Sequence, residues 1–191
     1  MVLATRNAHK LRELGPLLEP HALVPLPDEV VLPPETGETF AENALGKARA
    51  AAAATGMPAV ADDSGIAAAA LGGAPGVRSA RFAGEDATDE ENLAKLLREV
   101  PPDGDTRVAY VCALAWVGPG GEERVFEATC EGRLTHEPRG SGGFGYDPAF
   151  VPSDRDDDLT MAELPPAEKD AISHRGRAAR LLGEWLRREK A

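Results

Sequence analysis

A short apolar run leads directly into a helical pattern at the start of the chain. "VLAT" (residues 2–5) predicts a buried strand, and "HKLRELGPLLE" after it predicts a helix broken or bent near Gly15-Pro16, where proline withdraws an N–H. A strand feeding straight into a helix is an α/β signature. Beyond the proline-rich stretch 25–34, "TFAENALGKARAAAAATG" predicts a strong helix, rich in Ala, Leu, Lys and Glu and stopped by Gly56 and Pro58. "PAVADD" predicts the next strand, with Asp62 and Asp63 at its end. The run "IAAAALGGAPG" is ambiguous, because its alanines favour helix while its shortness and its closing glycines and proline do not.

In "TDEENLAKLLREV", Thr88 stands three residues before Glu91, the spacing of a capping box, and Leu93, Leu96 and Leu97 share one face. "TRVAYVCALAWVG" and "ERVFEATCEGRL" flank "PGGE" and predict a β-hairpin. A glycine-rich loop follows at 140–147, then an acidic stretch, "PSDRDDD" (152–158), expected to be mobile. Thr160 and Glu163 again have capping-box spacing. A last helix is predicted after Ser173, with Ala178, Leu181, Leu182, Trp185 and Leu186 on its apolar side.

At 191 residues the chain can build one well-packed core or two lobes sharing a sheet, and residues 1–191 are read as a single domain. The net charge of −11 argues against a broad grip on nucleic acid, which needs clustered Lys and Arg. Any anionic ligand must therefore be small and met locally. Cys112 and Cys130 have neither metal-site nor disulfide-framework spacing and are expected to be buried free thiols. The opening "MVLATRN" lacks a charged start followed by an apolar stretch, and no run approaches the ~20 apolar residues of a membrane span, so the expected setting is the cytoplasm, with no membrane partner.

Several segments carry residues suited to chemistry. "TRNAHK" places Asn7 where strand becomes helix and Lys10 in the first turn, either a phosphate cradle of backbone N–H groups plus an ammonium, or a plain N-cap beside a solvated lysine. "GSGGFGYDP" has G-x-G-x-x-G spacing at Gly140, Gly142 and Gly145, but no helix pattern begins after it, which rejects a dinucleotide fingerprint. The loop instead presents Phe144, Tyr146 and Asp147, able to stack on a base and accept its ring N–H, or else forms a structural turn capped by Asp147. No P-loop exists; Gly46-Lys47 lies inside a helix. "AEKDAISHRGRAAR" gathers Lys169, His174, Arg175 and Arg177, donors to carbonyl or phosphate oxygens or simply a basic helix end. Asp62 and Asp63 should point to opposite sides of their strand, one into a crevice and one into the fold. With Glu35 or Glu38 as a second carboxylate they could hold Mg²⁺ through oxygen donors.

Taken together, "ATRNAHK", "ETGETFAENALGKA", "VADDSGI", "LGGAPGVRSARFAG", "GGFGYDPAF" and "AELPPAEKDAISHRGRA" resemble, in the same order and over residues 2–188, the inosine triphosphate pyrophosphatase family. The resemblance implies an α/β three-layer fold with an elongated mixed β-sheet, two lobes and a central substrate cleft, commonly a homodimer. It implies that Thr5, Arg6, Asn7, Ala8, His9 and Lys10 bind the triphosphate, with Arg6 standing where many members carry glycine. Asp63 matches the essential acid, as metal ligand or base, and Glu35 the second Mg²⁺ ligand, with Glu38 near enough to leave that choice open. Ser64 matches a substrate contact, Lys47 a helix lysine that reaches the phosphates, and Phe144, Gly145, Tyr146, Asp147, Lys169, His174 and Arg175 the base-recognition residues. The implied reaction is Mg²⁺-dependent hydrolysis of a purine nucleoside triphosphate to monophosphate and pyrophosphate. Two other readings are a pyrophosphatase for modified pyrimidine or 7-methylguanosine triphosphates, against which the "SHRGRA" tail speaks, and a nucleotide sensor without catalysis, against which Asp63 speaks.

Overall fold

Threonine hydroxyls start two of the helices that frame the fold. In the computed structural model, which describes residues 1–189, Thr39 and Thr88 accept the N–H of Glu42 and Glu91, and each glutamate returns to its threonine's N–H. These capping boxes begin α2 (Phe40–Thr55) and α3 (Asp89–Glu99), numbered after α1 (Ala8–Leu17). Gly56, left-handed at φ 66°, ends α2. Helix α1 includes Gly15-Pro16 and ends one residue later, at Leu17, where Pro16 has withdrawn an N–H from the final turn. The strands are β1 (Val2–Leu3), β2 (Val24–Pro25), β3 (Ala59–Ala68), β4 (Arg107–Val117), β5 (Glu123–Leu134) and β6 (Phe150–Pro152), and the chain closes with α4 (Pro166–Ile172) and α5 (His174–Glu189).

The sheet order is β2-β1-β3-β4-β5-β6, with β1 parallel to β2 and β3 and β5 antiparallel to β6, so the sheet is mixed. β4 and β5 form the expected hairpin, closed at one end by the Gly118 N–H to Glu122 carbonyl bond and at the other by Leu134 N–H to Thr106 carbonyl. One expectation changes. β3 does not stop at Asp63 but continues through Ala68, so both aspartates sit in the middle of a strand. Gly65 permits this, since a Cβ there would lie 2.3 Å from the Ser79 hydroxyl and 2.6 Å from the Gly76 carbonyl. The Thr160–Glu163 pair closes only a turn: Glu163 accepts the Thr160 N–H, but the residue before a proline avoids helical backbone, and α4 waits until Pro166, after Leu164-Pro165. The acidic stretch 152–158 carries ion pairs, Arg155 with Asp157 and Glu168 and Arg133 with Asp158.

The chain divides into two compact units, Met1–Asp63 with Cys112–Ala128 and Arg175–Ala191, and Ser64–Val111 with Thr129–His174. Strands β3, β4 and β5 each give residues to both. In the first unit, strand alternation separates two apolar layers. Val2, Ala59, Ala61, Ala113 and Ala115 pack on Ala44, Ala48 and Ala51 of α2, while Leu3, Val60, Cys112 and Leu114 pack on Leu14 of α1 and Ala178 and Leu182 of α5. Small alanines on both α2 and the strands let the helix approach closely. The second unit has its own core, in which Leu93 and Leu96 of α3 meet Ile66, Val108, Tyr110, Leu134, Phe150 and Met161. Among the described residues no helix is long and apolar enough to cross a membrane.

Candidate active site

The two aspartates of β3 are buried on opposite faces, and each finds its own set of cations. Asp62 follows the alternation of Val60 toward α1 and α5. Its carboxylate meets Lys10 Nζ at 3.0 Å and accepts Arg175 Nε and Nη2 at 3.2 and 3.1 Å. Arg175 Nη1 also donates to Glu13 at 2.5 Å. Burial alone would raise the Asp62 pKa, but Lys10 and Arg175, with Lys47 farther off, outweigh it and hold the carboxyl far below the ordinary range.

Asp63 faces α2. Its Oδ2 accepts Asn43 Nδ2 at 2.9 Å, and its Oδ1 stands 3.7 Å from Lys47 Nζ. Lys47 in turn donates to Glu35 at 2.5 Å. Residues 43 and 47 are one turn apart on α2, so the helix presents amide and ammonium to the same strand. Here the balance runs the other way: burial pushes the Asp63 carboxyl up, Lys47 pulls it down, Glu35 pushes it up again, and the Asn43 hydrogen bond does not reverse the rise. Burial would lower the Lys47 pKa, but Asp63, Asp62 and Glu35 together raise it, so the ammonium stays charged. Adjacent carboxyls with opposite shifts are the arrangement expected when one is structural and one reactive.

Two carboxylates facing one ammonium leave a unit of negative charge at Glu35, Lys47 and Asp63. Among the described residues no three His, Cys, Asp or Glu side chains converge as a ready-made metal site. A pair of hard oxygen donors completed by water and phosphate is how Mg²⁺ is usually held, and the donor set fits that ion. Glu35 belongs to this group. The Glu38 side chain is exposed, and its N–H goes to Glu42 as part of the α2 cap.

The segment before α1 is built as a cap. Asn7 Oδ1 accepts the His9 and Lys10 N–H groups, and Thr5 Oγ1 accepts the Asn7 N–H. His9 meets Arg12, and Ala8 and His9 are exposed. The Arg6 guanidinium turns to the loop beyond β2, donating to the carbonyls of Leu26, Pro27, Asp28 and Val30. Its side chain is thereby committed to fixing that loop. A concavity of about 540 Å³ nearby, lined by Val2, Val24, Pro27, Val30, Ala54 and Met57, holds none of these groups.

In the second unit, Asp147 organises the glycine-rich loop. Its Oδ2 accepts the Phe144 N–H at 3.0 Å and Lys169 Nζ at 2.8 Å, and its Oδ1 accepts the Tyr110 hydroxyl at 3.0 Å. Gly143, at φ 70°, passes so close that a Cβ would lie 2.0 Å from Asp147 Oδ2. Lys169 Nζ lies 5.4 Å from the centre of the Phe144 ring. Tyr146 is buried and donates its hydroxyl to the Ser79 carbonyl, while Gly145 N–H goes to Asp89. Ser64 is half-buried on β3, and the His174 ring stacks on Tyr110.

Phe144, Asp147 and Lys169 thus come together, with His174 joined to them through Tyr110. Two residues expected to meet the base are engaged within the protein. Asp147, expected to accept a base N–H, is 4% exposed and accepts three protein donors. Arg175, expected to donate to the base, spends its fork on Asp62 and Glu13. Sequence reasoning missed Asn43, Glu13 and Tyr110. Asn43 was findable, since it lies one helical turn before Lys47 in "ENALGK"; Glu13 and Tyr110 carry no local signal.

The Ham1 family profile matches residues 1–185. The chain is 49% identical to a dITP/XTP pyrophosphatase of Geobacter sulfurreducens over 192 residues, covering 97% of this chain and 96% of the relative. The solved structure of a HAM1 protein from Coxiella burnetii aligns with TM-score 0.89 at 43% identity, and that of the Staphylococcus aureus Ham1 protein with TM-score 0.88 at 38%, each covering 98% of both chains. Near-complete coverage in sequence and in structure makes this chain a member of the Ham1 family.

Proposed function

We propose that this protein hydrolyses nucleoside triphosphates of deaminated purines, of the inosine and xanthosine type, to monophosphate and pyrophosphate, so keeping altered bases out of DNA and RNA. The observation that carries the reading is Asp63, buried, raised in pKa and held between Asn43 and the Lys47–Glu35 pair, in a chain about half identical to dITP/XTP pyrophosphatases along its full length.

Glu35 and Asp63 are the residues that would hold Mg²⁺. When bound, that ion supplies charge neutralisation on phosphate oxygens. The chain's own groups do the rest. Asn43 fixes Asp63 Oδ2, which leaves Oδ1 to orient a water and take its proton as the water attacks the α-phosphorus; a positioned base contributes about 10²–10⁴ in rate. Lys47 and Lys10 are assigned to the negative charge that builds on the departing pyrophosphate, the capped segment Thr5–Lys10 to the triphosphate, and Ser64 to a substrate contact. Water is the nucleophile, and the α–β phosphoanhydride bond is the one broken.

Base selection is assigned to Phe144, Lys169 and His174, with Gly145, Tyr146 and Asp147 shaping the loop that carries them. Hypoxanthine and xanthine present O6 as an acceptor where adenine presents an amino donor. Donors such as His174 and Lys169 match the first and leave the second facing N–H with N–H, and a buried mismatch of that kind rejects a ligand by about 10⁴. Arg175 enters this reading as the counter-charge of Asp62. A homodimer and a cytoplasmic setting belong to the same reading and rest on the resemblance alone.

The test is one assay with Mg²⁺ and, separately, inosine, xanthosine, guanosine and adenosine triphosphates, resolving all phosphate products. Monophosphate plus pyrophosphate from the first two is expected. Diphosphate plus phosphate, or tight binding without turnover, would overturn the proposal.

A further inference from the structure

Tyr110 touches both halves of the group assigned above to the base. It lies on β4, is 6% exposed, and faces the second unit's core. One side of its ring is stacked with Phe150, centroids 4.4 Å apart. His174 is also stacked with it, at 4.6 Å and an interplanar angle of 11°. Its hydroxyl donates to Asp147 Oδ1, while the other oxygen of that carboxylate holds the Phe144 N–H and Lys169 Nζ.

The geometry points to Tyr110 as a positioning residue for base selection, setting the plane of the His174 imidazole through its face and the place of Lys169 and Phe144 through its hydroxyl and Asp147. This rests on the base-recognition reading of the preceding subsection.

Selection by a hydrogen-bond donor depends on its aim. A histidine discriminates an acceptor from a donor only if its ring N–H points at one fixed place, and an imidazole turns about two side-chain bonds. Stacking at 11° against a ring that is itself packed on Phe150 removes that freedom. Lys169 has four such bonds. The Asp147 carboxylate narrows them, and Asp147 is oriented because its two oxygens are claimed from different directions, Oδ1 by Tyr110 and Oδ2 by the loop. Tyr110 therefore couples two donors that stand on different helices, Lys169 on α4 and His174 at the start of α5.

The experiment separates the ring from the hydroxyl. Tyr110→Phe keeps the stack and removes one oxygen; Tyr110→Leu removes the stack as well. With Mg²⁺ present, kcat and KM are measured for inosine and adenosine triphosphates, and His174→Ala is run beside them. Tyr110→Leu is expected to lower the inosine-to-adenosine ratio of kcat/KM about tenfold or more, through KM, with Tyr110→Phe between it and the parent protein. Proton NMR supplies a readout independent of turnover. The His174 ring protons, shifted upfield by the Tyr110 ring, should stay shifted in Tyr110→Phe and return toward random-coil positions in Tyr110→Leu.

If His174→Ala moves the ratio and neither Tyr110 variant does, Tyr110 is structural only and the inference is overturned while the base-recognition reading stands. If His174→Ala leaves the ratio unchanged, the reading itself fails and the inference with it. Should Tyr110→Leu fold poorly, the single-atom Tyr110→Phe variant decides: an unchanged ratio and unchanged KM overturn the role of the hydroxyl.

Discussion

Asn43 ties Asp63 to the loop that bears Glu35, using the two ends of one amide. Nδ2 donates to Asp63 Oδ2 at 2.9 Å, and Oδ1 accepts the Gly37 N–H at 2.8 Å. Because the Gly37 N–H can only donate, the amide has one orientation, and Asp63 is left with Oδ1 turned toward Lys47. Removing the amide should cost kcat rather than fold. For Asn43→Ala we expect a loss of about 10–100-fold, the usual cost of deleting a partner that orients a reactive carboxylate. Gly37→Ala should act alike, since its Cβ would lie 2.8 Å from Asn43 Oδ1. The double variant should lose little more than either single one. Steady-state kinetics on the three proteins checks this, and fully additive losses would separate the two residues.

Asp63→Asn should abolish most activity without weakening the protein. Burial and Glu35 raise the Asp63 pKa, which means that its charged form costs folding energy at neutral pH. A neutral amide of the same shape removes that cost, but its NH2 must face either Asn43 Nδ2 or the Lys47 ammonium, donor toward donor, which offsets the gain. The expected result is a fall in kcat/KM of about 10²–10⁴ with a Tm close to that of the parent, read by turnover and by thermal unfolding on the same sample. Full activity would deny Asp63 its role.

Cys112 should be silent to thiol reagents in the native protein. It is fully buried, and burial, with Asp62 nearby, pushes its pKa up to about 12. At pH 8 only about 10⁻⁴ of such a thiol is ionised, and the thiolate is the reacting form. Cys130 is also buried. Titration with a chromogenic disulfide is expected to register neither thiol until denaturant is added, and then both. Rapid reaction of one thiol without denaturant would contradict the packing around it.

Much of this was legible from the chain, and the reason differs by element. Helices α2 and α3 announce themselves because capping and periodicity are local: Thr39, Thr88, Gly56 and the leucines of α3 act within a few residues. The continuation of β3 past Asp63 was not legible, because "SGIAA" becomes extended only when Gly65 can lie against Ser79, a contact 14 residues away. At Thr160–Glu163 the capping-box pair forms locally without opening a helix, since α4 begins only at Pro166. At the candidate site, the motifs proposed residues and left their partners unspoken. Nothing near Arg175 in sequence says that Asp62 and Glu13, 113 and 162 residues away, will claim its guanidinium.

That claim gives the sharpest prediction about stability. Asp62 and Arg175 are both almost completely buried; Asp62 is the principal compensation of Arg175, while Asp62 itself is compensated by Lys10 first and Arg175 next, with Glu13 completing the group. Breaking a buried pair by removing one partner leaves a stranded charge and costs about 3–5 kcal/mol. Asp62→Asn and Arg175→Ala should each lose that much at pH 7 in urea unfolding. Arg175→Lys should recover part of the charge but not the double engagement, because an ammonium cannot span Asp62 and Glu13 as a planar fork does. The pH dependence has a fixed sign. The folded-state pKa of Asp62 lies below its unfolded value of about 3.9, so its contribution is complete above that pH and drains away as the pH falls toward the depressed folded value. The parent should therefore lose stability as the pH falls below about 4, where the unfolded chain takes up a proton at Asp62 that the folded carboxylate, held between Lys10 and Arg175, does not, and Asp62→Asn should show a shallower acid limb because that loss is already built in. The two curves should converge at low pH. Parallel curves from pH 7 to pH 2 would mean that Asp62 is not the group that titrates. An Arg175→Lys protein of undiminished stability that had lost its preference for inosine over adenosine triphosphate would move Arg175 from the support of Asp62 to the recognition of the base.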